Sequence, residues 1–211
     1  MRRLPVYLLI DTSGSMKGEP IEAVNAGLQT LVASLRRDPQ ALETACLSII
    51  TFDKEARLIM PLTSIEELQL PIIATPESGP TMTGAALELV CQRVDQEVRT
   101  QSTDEKRDWK PLLFIMTDGA PNDIQKFKNM VPECKNRHFA AIMACAAGMN
   151  AKTDMLKSLA NITVSLDNCD SATFRQFFIW VSDSISSGAQ SVGVTSQLVL
   201  PPPPADVNKV D

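Results

Sequence analysis

Apolar residues follow two rhythms along this chain. Nearly continuous apolar runs occur at Tyr7–Ile10, Leu47–Phe52, Leu112–Met116 and Ala140–Cys145. A strand covered on one face alternates apolar and polar residues, whereas one covered on both faces is apolar throughout, so these runs predict buried parallel strands. Ile162–Leu166 is a further, weaker strand, and Glu55–Leu62 reads as the return arm of a hairpin turning at Asp53-Lys54, antiparallel and at an edge. Between the runs apolar residues recur at helical spacing. Ile21, Val24, Leu28, Leu31 and Leu35 follow Glu19-Pro20, where proline is tolerated in a first turn. Leu87, Val90, Val94 and Val98 follow Thr83-Gly84; a third helix is predicted from Ile124 to about Arg137 and a shorter one over Met155–Leu159. The last carries the stripe Phe174, Phe177, Phe178, Val181 and Ile185, read as core.

This alternation predicts an α/β three-layer sandwich, with a doubly wound, mostly parallel six-stranded sheet, one antiparallel edge strand and helices on both faces. The pattern stops after Ser187, so residues 1–187 read as one domain. Residues 188–211, containing Pro201–Pro204, read as a linker or tail of polyproline II tendency.

Composition narrows the classes. With 211 residues the chain fits one domain and needs no disulfide staples, and its 44% hydrophobic and 21% charged residues are ordinary for a globular protein. A net charge of −5 leaves no basic stripe for phosphates, which argues against nucleic acid and an anionic membrane surface. Cys46, Cys91, Cys134, Cys145 and Cys169 have neither zinc-ligand nor disulfide-framework spacing and read as buried hydrophobes in a reducing compartment. The apolar run after Arg2 and Arg3 is too short for a signal peptide and no stretch reaches membrane-spanning length, which predicts a cytoplasmic chain.

Three segments carry the chemistry. Asp11-Thr12-Ser13-Gly14-Ser15 follows the first strand, Thr81 lies in Gly79-Pro80-Thr81-Met82-Thr83-Gly84 before a helix, and Thr117-Asp118-Gly119 follows the strand Leu112–Met116. If those two strands are neighbours where strand order reverses, their carboxyl ends form a crevice. Asp11 and Asp118 then face each other, with Thr81 closing the third side. Two carboxylates and three hydroxyls are hard oxygen donors suited to Mg²⁺, and less selectively to Mn²⁺ or Ca²⁺. Such a site is near neutral once the ion is bound, and a carboxylate from a partner protein can complete the octahedron.

Asp-x-Ser-x-Ser, a later Gly-x-Thr-x-Thr-Gly and a strand ending in Thr-Asp-Gly resemble the metal-ion-dependent adhesion site, or MIDAS, of von Willebrand factor A and integrin I domains, over roughly residues 4–187. Pro80 departs from many members without removing a ligand. The resemblance implies a Rossmann-like fold, direct metal ligation by Ser13, Ser15 and Thr81, and Asp11 and Asp118 acting through water. The length and the Thr-Asp-Gly-x-Pro run are similar to tellurium-resistance-associated A-domain proteins of the TerY type. That implies a bacterial stress response, with other tellurium-resistance proteins or an associated kinase or phosphatase as partners.

Other readings stay open: a site that binds no metal, a Mg²⁺-dependent phosphohydrolase, or a scaffold binding through the Pro-rich tail with a structural metal. Phosphatases with a strand-terminal aspartate nucleophile need a second aspartate where Ser13 stands, and a catalytic triad lacks a histidine, since the one histidine, His138, sits at the start of a predicted strand with no motif around it. Asp123 is expected to cap a helix; Met16, Lys17 and Met82 are expected at the site's rim; Asp167 and Asp170 are expected to cap the Phe-rich helix.

Overall fold

The computed structural model describes residues 2–75, 79–100, 106–148, 153–166, 171–191, 200–204 and 207–210. The predicted elements are present. The strands are β1 (Leu4–Asp11), β2 (Ala45–Phe52), β3 (Ala56–Ser64), β4 (Leu112–Thr117), β5 (Ala141–Ala147) and β6 (Ile162–Leu166). The helices are α1 (Glu19–Leu35), α3 (Thr83–Glu97), α4 (Ile124–Asn136), α5 (Thr153–Leu159) and α6 (Ser171–Ser191). An unforeseen short helix, α2 (Pro39–Thr44), starts where the Asp38 carboxylate accepts from the amides of Gln40 and Ala41, a cap followed by proline at the first helical position.

The strands lie in the order β3-β2-β1-β4-β5-β6-β7. β1 pairs in parallel with both β2 and β4, so the sheet changes direction between β1 and β4 and a crevice opens at their carboxyl ends. β1 is buried along its whole length because successive side chains enter different cores. Leu4, Val6, Leu8 and Ile10 join the core under α1 and α6, and Tyr7 and Leu9 join the core under α3, α4 and α5.

The sheet has seven strands, one more than the periodicity predicts. The seventh, β7 (Asn208–Lys209), comes from the segment read as a tail and pairs antiparallel with β6, so both edge strands are antiparallel. Two exposed polar residues carry no periodic signal; their strand character comes from pairing with β6. α6 runs on to Ser191. The Trp180 indole donates to the Pro201 carbonyl at 2.9 Å, the Val210 amide donates to the Thr163 carbonyl at 2.9 Å, and Val207 is 2% exposed.

Cys46, Cys91, Cys134 and Cys145 are free and buried; Cys169, Asp167 and Asp170 lie outside the described residues. His138 does not open a strand. It sits at φ 54° in the turn after α4, its amide donating to the Lys135 carbonyl. No helix among the described residues is long and apolar enough to cross a membrane.

Candidate metal site

Asp11 ends β1 and Thr117 ends β4, one step beyond the paired residues Ile10 and Met116. Parallel pairing of these strands brings residues 106 positions apart into contact: the Thr117 hydroxyl donates to Asp11 Oδ2 at 2.5 Å. Asp11 Oδ1 accepts from the Ser13 amide at 2.8 Å, which turns the chain sharply after the strand. A 3-10 turn over Gly14–Met16 follows and leaves the Ser13 and Ser15 hydroxyls 3.3 Å apart. Ser15 Oγ in turn donates to Asp118 Oδ1 at 2.9 Å.

Thr81 reaches the same place from the loop before α3. Its amide donates to Asn122 Oδ1 at 2.7 Å, and the Asn122 amide donates to the Thr81 carbonyl at 2.9 Å. This two-way clamp joins the Thr81 loop to the loop that carries Asp118. A Cβ at Gly119 would stand 3.1 Å from Thr81 Oγ1, so the absence of a side chain there lets the hydroxyl lie against the Asp118-Gly119 turn. The Gly14 amide donates to the Gly79 carbonyl at 3.4 Å and ties the serine turn to the same loop. Asp11, Ser13, Ser15, Thr81 and Asp118 therefore stand together at one crevice.

Thr117 and Asn122 hold this arrangement, and spacing alone gave neither a role. Their partners lie far away in sequence, so only the β1–β4 pairing and the approach of two loops reveal them. Asp123 precedes α4, yet its carboxylate makes no cap bond to that helix. It accepts instead from the Gly84 amide at 3.0 Å and the Ala85 amide at 2.9 Å, capping α3 from across the crevice. α3 and α4 are close enough there that a Cβ at Gly84 would meet the Phe127 backbone at 2.5 Å. Met16 is not at the rim: the 3-10 turn directs it into the core, where it is fully buried, while Lys17 is exposed and Met82 half-buried.

Burial dominates the electrostatics. Asp11 is fully buried, and loss of water raises its pKa to about 6 against the opposing hydrogen bonds from Thr117 and Ser13, with the neighbouring Asp118 raising it further. Burial also raises Asp118, opposed by the Ser15 hydroxyl. Two desolvated acids on one crevice are an unfavourable arrangement that a cation offsets, so the donor set fits a divalent ion. Among the described residues no three His, Cys, Asp or Glu side chains cluster, so an ion here would have to draw on the hydroxyls as well as the two carboxylates. Carboxylate and hydroxyl oxygens suit a hard ion.

The sequence profile of the von Willebrand factor type A domain matches residues 6–179. An uncharacterized protein of Synechocystis sp. is 28% identical over 131 residues, 56% of this chain and 26% of the relative. The fold is similar to proximal thread matrix protein 1 of the mussel byssus, in a structure with a zinc-occupied MIDAS motif (TM-score 0.68, 16% identity, 86% of this chain and 48% of that one). It is also similar to a von Willebrand factor type A protein of Catenulispora acidiphila (TM-score 0.66, 14% identity, 88% and 43%) and to BatB of Bacteroides thetaiotaomicron (TM-score 0.57, 18% identity, 89% and 100%). The chain spans about a quarter of its curated relative and less than half of the first two structures.

Proposed function

The chain belongs to the von Willebrand factor type A domain family, and from that premise we propose that it is a metal-dependent protein-interaction module whose ion is held by Asp11, Ser13, Ser15, Thr81 and Asp118. Domains of this family generally act as interaction modules rather than enzymes. The observation that carries the reading is the convergence of one fully buried acid, one half-buried acid and three hydroxyls, joined through the Ser13–Ser15–Asp118 contacts. Ser13, Ser15 and Thr81 are the direct ligands in this proposal. Asp11 and Asp118 neutralise the charge from behind them. Bound Mg²⁺ supplies an electrophilic position that a partner's carboxylate oxygen fills. Mn²⁺ and Ca²⁺ suit the same oxygens less selectively.

A place in a bacterial tellurium-resistance response, with partners among other such proteins or an associated kinase or phosphatase, is the finer proposal. It rests on the run Thr117-Asp118-Gly119-Ala120-Pro121. The rival in which the Pro-rich tail recruits the partner must compete with an internal contact: the Trp180 indole already donates to the Pro201 carbonyl.

Capture of partners from host cytosol with and without EDTA separates the two. Chelator and Asp118→Ala abolish capture in the metal reading, and deletion of residues 196–211 leaves it intact. Capture that survives chelator and is lost on the deletion, while the shortened chain keeps a native circular dichroism spectrum, belongs to the tail.

A further inference from the structure

We propose that the groove beside the Thr81 loop receives an aliphatic side chain of the same partner segment whose carboxylate meets the ion; the proposal rests on the metal-site reading above. The groove, about 400 Å³, lies between the β2–β3 turn, one face of α3 and the start of α4. Its apolar floor is Met82, the residue before α3, then Ala85 and Leu89 one turn apart on α3, with Ala56 from β3. The opposite face of α3, with Leu87, Val90 and Val94, is sunk in the core. Met82, Ala85, Leu89 and Ala56 are only half-buried, so apolar surface faces the groove.

Continuity with the metal site is covalent. Met82 follows Thr81, and its amide donates to the Asp53 carbonyl at 2.9 Å, fixing the loop to the hairpin that forms the other wall. Charge pairing around the groove leaves it to an uncharged side chain. The acids around the groove are engaged: Glu55 by Arg57 at 2.6 Å, Glu88 by Lys126 at 2.7 Å, and Asp123 by the α3 amides. Lys54 is exposed and, among the described residues, has no hydrogen-bond or ion-pair partner. With Glu55, Glu88 and Asp123 set against Lys54 and Lys126 the lining is close to balanced in charge, so the groove itself matches an uncharged aliphatic side chain, and the acid of the segment belongs to the ion.

Geometry sets the spacing. Along the helix axis Ala85 and Leu89 lie roughly 6 and 12 Å beyond Thr81. Two to four extended residues span that distance. The probe is therefore a nine-residue peptide with a central glutamate, leucines two and four residues to either side, and glycines between. Its control carries serine for each leucine.

Amide chemical shifts of the ¹⁵N-labelled full chain in MgCl₂ report both sites. The leucine peptide is expected to shift Ser13 and Ser15 together with Ala85 and Leu89, and to bind about tenfold tighter than the control. Leu89→Gln, and Ala85→Gln as a second variant on the exposed face, bring the two affinities together. Equal affinities for the wild type, with shifts confined to Ser13, Ser15 and Asp118, overturn the groove and leave the metal site standing. No shift from either peptide, or shifts that persist in EDTA, overturn the metal reading and the groove with it.

Discussion

Burial lifts Asp11 from an ordinary carboxylate value of 3.8 to about 6, and this sets proton against cation at the crevice. Between those values the metal-free folded chain keeps a proton that the unfolded chain releases, so Asp11 makes its fold lose stability as pH rises through that window. Mg²⁺ requires the carboxylate, so the sign for binding is opposite. Affinity for Mg²⁺ should be flat above about pH 7 and fall by up to tenfold per unit below about 6, as a pH series of titrations would read; a flat profile from 5 to 8 would exclude Asp11. Thr117 fixes the orientation of that carboxylate. Thr117→Val keeps the shape and removes the bond, and Mg²⁺ affinity should fall about 10- to 100-fold while the circular dichroism spectrum stays native. Asp11, Ser13 and Ser15 were legible in the sequence because they share one turn. Thr117 and Asn122 were not, because their roles depend on contacts across the β1–β4 junction.

Helix α1 meets α6 where Gly27 faces Phe178. A Cβ at Gly27 would stand 2.1 Å from the Phe178 ring, which is 2% exposed and has beside it only a small apolar cavity of about 10 Å³. Alanine gains about 1 kcal/mol in a helix over glycine, but forcing atoms into a packed core costs about 1–3 kcal/mol and more at so short a distance. Packing wins, and Gly27→Ala should lower the Tm by several degrees in a thermal melt; a rise would mean that α6 yields easily. The Phe stripe of α6 was readable from its spacing, and so were the buried strands, since both follow from periodic burial. Neither the glycine contact nor the Asp123 cap of α3 was readable. Each is a meeting of two elements, and a cap that crosses from one helix to another leaves no local signature.

At the scale of the whole molecule, the reversal of strand order between β1 and β4 puts the crevice at the sheet's carboxyl edge, and the far edge is closed by β7. That closure was invisible in the sequence: proline and short polar runs read as a solvated tail, while Val207 and the Pro201–Trp180 bond act only once α6 and β6 are in place. Val207 burial alone contributes about 1.5–3 kcal/mol. Removing residues 200–211 should therefore lower the Tm by several degrees; an unchanged Tm would mean that the strap adds nothing. At that carboxyl edge the five side chains are proposed to hold one hard cation. Calorimetric titration of MgCl₂ into the full chain at pH 7.5, beside the Asp11→Ala/Ser13→Ala variant, tests it most directly. One saturable site is expected in the wild type and at least a tenfold loss in the variant; equal affinities, or no binding by the wild type, would remove the ion from the crevice.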